Sequence, residues 1–211
     1  MKRTIAILMA LVLVLLCCTT ALADEEVMIR FLDTTWGKDL ETMCQVMKDA
    51  GWINDDGAAK FAEAEDIAEK ARAGEFEVAC IVPEFTETDG HYSFSVGEEI
   101  KNALPLALTK EMLTKDWMGV EVESIEMIYA LNGVEEKLLT VILVLAENKE
   151  DLKPEFVKLY GEPADVSEDG TAYWIGVKNG EKKSILVYDG ESVMYSLIQA
   201  REKAEEAVPS K

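Results

Sequence analysis

Residues 120–146 read VEVESIEMIYALNGVEEKLLTVILVLA, and their pattern decides the fold class. Asn132-Gly133 is a residue pair that tolerates the positive φ angles of a tight hairpin turn, so the stretch reads as two strands joined at that point. Leu138 to Leu145 is apolar at every position but Thr140, which predicts a central strand covered on both faces.

Turn signals recur on both sides of this hairpin. Upstream, Phe76, Val78, Cys80 and Val82 alternate, and Asp89-Gly90 leads into a second strand. Between the hairpins, EEIKNALPLALTKEML (98–113) is apolar but interrupted by Pro105, and is expected to be irregular or briefly helical. Downstream, Asn179-Gly180 and Asp189-Gly190 separate three short strands.

Helical periodicity dominates the segments outside these strands. DLETMCQVMKDAG (39–51) predicts a helix capped by Asp39 and stopped at Gly51, with Leu40, Met43, Cys44 and Met47 on one face. DDGAAKFAEAEDIAEKARAG (55–74) predicts a second, with Phe61, Ala64, Ile67, Ala68 and Ala71 inward, so the two form a helical hairpin. DLKPEFVKLYGEP (151–163) predicts a third, with Pro154 in its first turn and Leu152, Phe156 and Leu159 inward. The end of the chain, IQAREKAEEAVPSK, reads as a polar helix that frays. Between DLETM and DLKPE there is a faint echo that drifts out of register. Helices first, then hairpin-linked strands around one inserted helix, predict an α+β fold on an antiparallel sheet.

The first 23 residues read differently. Lys2 and Arg3, the apolar run Ile5 to Leu16 and the triplet Ala21-Leu22-Ala23 have the form of a signal peptide, placing the mature start at Asp24. Lipidation at Cys17 or Cys18 lacks the small preceding residue it needs, and an uncleaved anchor is the remaining alternative. The expected organisation is a signal peptide over 1–23, one domain over 24–207 and a tail over 208–211. Two small lobes divided near 113–120 are the alternative. Export places the protein in a secreted or extracytoplasmic location.

Charge and composition narrow the function. The chain carries 21 Lys and Arg against 41 Asp and Glu, a net −20, and 49% hydrophobic residues. Such a surface repels nucleic acid and anionic membrane, while the apolar fraction suffices for a core. The expected partner is a protein or a cell-wall component. Once the leader is gone, only Cys44 and Cys80 remain, either as one disulfide or as two small buried hydrophobes.

Chemistry-bearing motifs are sparse. His91 is the single histidine, so no histidine-based metal cluster can form within one chain. NDDG (54–57) and ETDG (87–90) do not continue into a calcium loop. No phosphate-binding glycine loop or nucleophile elbow occurs, and no cofactor is expected. Acidic pairs arise everywhere among 41 acids, which keeps a glycosidase-type carboxylate pair open. Trp36, Trp52, Trp117, Trp174 and Tyr173 are the side chains best able to anchor a ligand or partner, and packing in the core is their alternative role.

FLDTTWGKDLETMCQVMKDAG (31–51) resembles the opening of many small exported proteins of Gram-positive bacteria, in which a Trp-Gly pair precedes the first helix. FVKLYGEP (156–163) followed by YWI (173–175) resembles a later helix, turn and aromatic strand of the same group. A helical hairpin beside an antiparallel sheet is similar to the β-lactamase-inhibitor-protein-like fold group, which includes envelope assembly lipoproteins. The resemblance implies a fold and carries over no active-site residue. The expectation is therefore a non-catalytic extracytoplasmic binding module, with a carboxylate-dependent hydrolase of cell-wall polysaccharide as the alternative.

Overall fold

The computed structural model describes residues 29–32, 36–132, 136–146 and 151–206. The expected leader over 1–23 and the tail over 208–211 lie outside them.

Two helices open the chain. Helix α1 spans Leu40–Asp49, with the Asp39 carboxylate accepting from the Thr42 amide, and α2 spans Asp55–Arg72, with the Asn54 side chain accepting from the Gly57 amide. The NDDG stretch is thus a helix start. A long hairpin follows, β1 (Ala79–Thr88) and β2 (His91–Lys101), and then a meander of β3 (Ala103–Thr109), β4 (Val122–Leu131) and β5 (Glu136–Leu145). Helix α3 (Lys153–Tyr160) leads into β6 (Asp165–Val166), β7 (Ala172–Lys178), β8 (Glu181–Tyr188) and β9 (Ser192–Leu197), and α4 (Ala200–Glu206) ends the described chain.

β1 and β2 pair with each other, while the other strands form one antiparallel sheet in the order β3-β4-β5-β9-β8-β7-β6. This order contains a repeat. In each half a helical segment precedes a three-strand meander, and the last strands of the two meanders, β5 and β9, pair antiparallel at the middle. The DLETM and DLKPE echo falls at equivalent points. Asp39 accepts from the Thr42 amide at 2.7 Å and Asp151 from the Lys153 amide at 3.0 Å, and the following Leu40 and Leu152 are both buried. The resemblance fades after five residues because α1 and α3 pack against different strands.

The sheet is covered on both faces. On one, α1, α2, α3 and the segment Ile29–Leu32 enclose the main core. An unbroken run of rings passes through it, from Trp52 through Phe31, Tyr195, Trp117 and Phe156 to Trp174 and Tyr188, with centroids 5.3–6.2 Å apart. The β1-β2 hairpin and α4 cover the other face. Val82 and Ile100 pack there with Ala103, Ile128 and Ala130 near one edge of the sheet, whereas Tyr92 stacks on Tyr173 and Asp165 accepts from the Tyr92 amide near the other. The hairpin therefore runs across the strands. A ten-residue strand reaches about 33 Å, enough to cross seven strands spaced about 4.8 Å apart.

Several expectations need correction. Residues 103–109 form a full strand, with Leu104, Leu106 and Leu108 buried on one side, because β3 is an edge strand where Pro105 need not donate to a neighbour. Leu159 is 61% exposed, since Tyr160 takes the inward place on the last turn of α3, packed against the main core. The terminal helix is docked rather than frayed over Ala200–Glu206, with Ala200 and Ala204 fully buried on the sheet. Cys44 and Cys80 are both free thiols. Cys44 on α1 packs into the core under the helices and Cys80 on β1 into the core under the hairpin, so in this arrangement the sheet stands between them.

Candidate functional site

The start of β5 organises a concavity on the α4 side of the sheet. β9 pairs with β5 only from Thr140 onward, which leaves one edge of residues 136–139 open. The segment Trp36–Lys38 fills that place: the Gly37 amide donates to the Leu138 carbonyl at 3.2 Å, and the Leu138 amide donates to the Lys38 carbonyl at 2.9 Å. The Trp36 indole N–H donates to the Ile29 carbonyl at 3.0 Å, which fixes the ring beside the strand. On the other side, burial of Ala200 and Ala204 seats α4 on the sheet and brings Lys203 and Glu206 to the rim.

The result is a groove of about 480 Å³. Trp36, Gly37, Leu138, Leu139, Ala130 and Leu197 supply its apolar wall, and Asn132, Lys137, Lys203 and Glu206 its polar rim. The volume lies within the usual few hundred to a thousand Å³ of small-molecule sites. The rim runs against the charge of the molecule, with two lysines to one carboxylate in a chain of 41 acids and 21 bases. Gly37 stands at φ +82°, a backbone state that favours glycine, and the space where a Cβ would sit is open.

A second locus lies on the opposite face of the same strand start. Arg72 of α2 forms an ion pair with Glu136, whose side chain is 7% exposed. Nearby on α2, burial and then the Glu136 charge hold the Glu65 carboxyl above the usual range. Asp39 is held below it by its hydrogen bond from Thr42.

Of the five candidate recognition aromatics, Trp52, Trp117, Trp174 and Tyr173 are buried in the cores, and the Trp174 indole donates to the Gly161 carbonyl at 2.9 Å. Trp36 alone of the five lines the groove. The thiols are poor nucleophiles: burial, followed by Glu126 and Glu99, pushes Cys80 up to about 12, and burial raises Cys44. His91 stands exposed at the β1-β2 turn, its Nδ1 3.2 Å from Asp165. Lys137 and Lys203 were not singled out in the sequence. The only signal, for Lys137, was a Glu-Lys pair opening a strand that is free of charge from Leu138 to its end.

Comparison with known proteins adds no assignment: no family model, no curated protein and no solved structure matches the chain.

Proposed function

We propose that this chain is a non-catalytic binding module acting outside the cytoplasm, and that it takes its ligand in the groove between Trp36, the start of β5 and α4. One observation carries this reading. A half-buried indole, an aliphatic wall and two lysines converge on a site of small-molecule size, while both cysteines are held as protonated thiols. Apolar walls give affinity and a few polar groups fix orientation, which is the composition of a recognition site. The leader-like residues 1–23 support the extracytoplasmic location.

The second reading, a carboxylate-dependent hydrolase of cell-wall polysaccharide, is favoured by Glu65, whose raised carboxyl beside Glu136 is the environment a general acid needs. Against it, Arg72 already neutralises Glu136 in a partly buried pair that joins α2 to β5.

Incubation of the purified mature protein with peptidoglycan fragments, oligosaccharides and small organic molecules, followed by native and denaturing mass spectrometry, separates the two. A binder retains ligand and releases it chemically unchanged. Turnover abolished by Glu65→Gln in a folded variant would establish the hydrolase instead.

A further inference from the structure

We infer that the groove recognises a small organic anion, an apolar body carrying one anionic head group, with Lys137 and Lys203 receiving the head and Trp36 with Leu139 and Leu197 receiving the body. This rests on the binding reading above and specifies its ligand.

The charge distribution points there. Ion pairs hold at least half of the lysines among the described residues, among them Lys60 with Glu63, Lys70 with Asp66, Lys110 with Glu121 and Glu123, and Lys182 with Glu87. Lys203 forms no ion pair with a carboxylate of the described residues, although α4 is rich in acids and the neighbouring Arg201 is matched to Glu205. The docking of Ala200 and Ala204 fixes where Lys203 stands, because a seven-residue helix buried along its alanine face has one orientation left. Lys137, on the strand across the groove, brings a second cation to the same opening.

An anion gains most here. The surrounding net charge of −20 repels a free anion at long range, so only contact with both lysines, close to an apolar wall that lowers the local dielectric, makes binding favourable. Selectivity for a molecule with an apolar body follows, since a bare inorganic anion collects the repulsion without the wall. Carboxylate and phosphate heads share this chemistry.

The test uses 8-anilinonaphthalene-1-sulfonate, whose sulfonate stands in for either head, beside its neutral analogue N-phenyl-1-naphthylamine, both titrated into the full mature protein by fluorescence. The expected result is one saturable sulfonate site, weakened about tenfold in the Lys137→Gln/Lys203→Gln double variant, with the neutral probe little affected. Lys110→Gln/Lys158→Gln, the same charge change outside the groove, leaves the sulfonate site unchanged. Octanoate and phenyl phosphate displace the sulfonate where octanol does not, and their relative potency distinguishes the two head groups. Equal affinity for charged and neutral probes, or an unaffected double variant, overturns the anion assignment and leaves the binding module standing. No saturable site for either probe up to about 1 mM overturns both.

Discussion

Phe156 is the hub of the main core, and its removal has a calculable cost. The side chain is fully buried, and its ring lies 5.3 Å from Trp174, 5.4 Å from Tyr188 and 5.6 Å from Trp117. Truncating a buried Phe to Ala costs about 3–5 kcal/mol, and each ring pair adds roughly 0.5–1.5 kcal/mol beyond its area. Three pairs place Phe156→Ala at the top of that range, about 5 kcal/mol. Phe156→Leu keeps most of the volume and loses the ring contacts, for an expected loss of about 2 kcal/mol. Urea unfolding monitored by tryptophan fluorescence measures both, and an unchanged slope confirms that the same surface is exposed. At roughly 2–4 °C per kcal/mol for a chain of this size, the alanine variant also melts about 10–20 °C lower. A loss under about 1.5 kcal/mol for Phe156→Ala would refute the aromatic hub and the seating of α3 on the sheet.

Three further outcomes are expected. Gly57→Ala, normally favourable in a helix by about 1 kcal/mol, is destabilising here by about 1 kcal/mol or more, because the new Cβ would meet the Ile53 Cβ at 2.8 Å and the Met112 carbonyl oxygen at 3.1 Å; thermal melting reads the sign. The Asp165 carboxyl is held below its ordinary 3.8, first by the Tyr92 amide, so its contribution is full above that pH and is lost as pH falls through the lower folded value. Hydrogen exchange of the Tyr92 amide should accelerate in acid relative to the sheet core, and Asp165→Asn should remove the acid step. In protein prepared without residues 1–23, alkylation after unfolding without reductant should label two thiols, Cys44 and Cys80, whereas native Cys80 reacts slowly at neutral pH because its thiolate is scarce; a single disulfide-linked species would contradict the placement of the two on opposite faces of the sheet.

Much of the architecture is legible in the sequence because local chemistry decides it. Asp39 and its apolar face specify α1, Asn179-Gly180 and Asp189-Gly190 separate β7, β8 and β9, and the unbroken apolar run marks β5 as covered on both faces. What escaped is what depends on neighbours. Pro105 is acceptable only because β3 lies at an edge, and the alternation of Leu104, Leu106 and Leu108 was the signal that outweighed it. Leu159 and Tyr160 compete for one inward position that periodicity alone does not award, and the alanines of α4 look unremarkable until a sheet face receives them. The groove was hidden for the same reason. Its residues come from the Trp36 segment, the ends of β4 and β9, the start of β5 and α4, which no spacing in the chain connects.

The central claim, that ligand is held between the Trp36 segment and the start of β5, is tested most directly by a hydrogen-exchange footprint at saturating ligand. The Gly37 and Leu138 amides, which tie these two segments together, are expected to gain the most protection, with Lys203 and its α4 neighbours following. Protection concentrated around Glu65 and Glu136, or along the exposed face of the β1-β2 hairpin, with Gly37 and Leu138 unchanged, would contradict it.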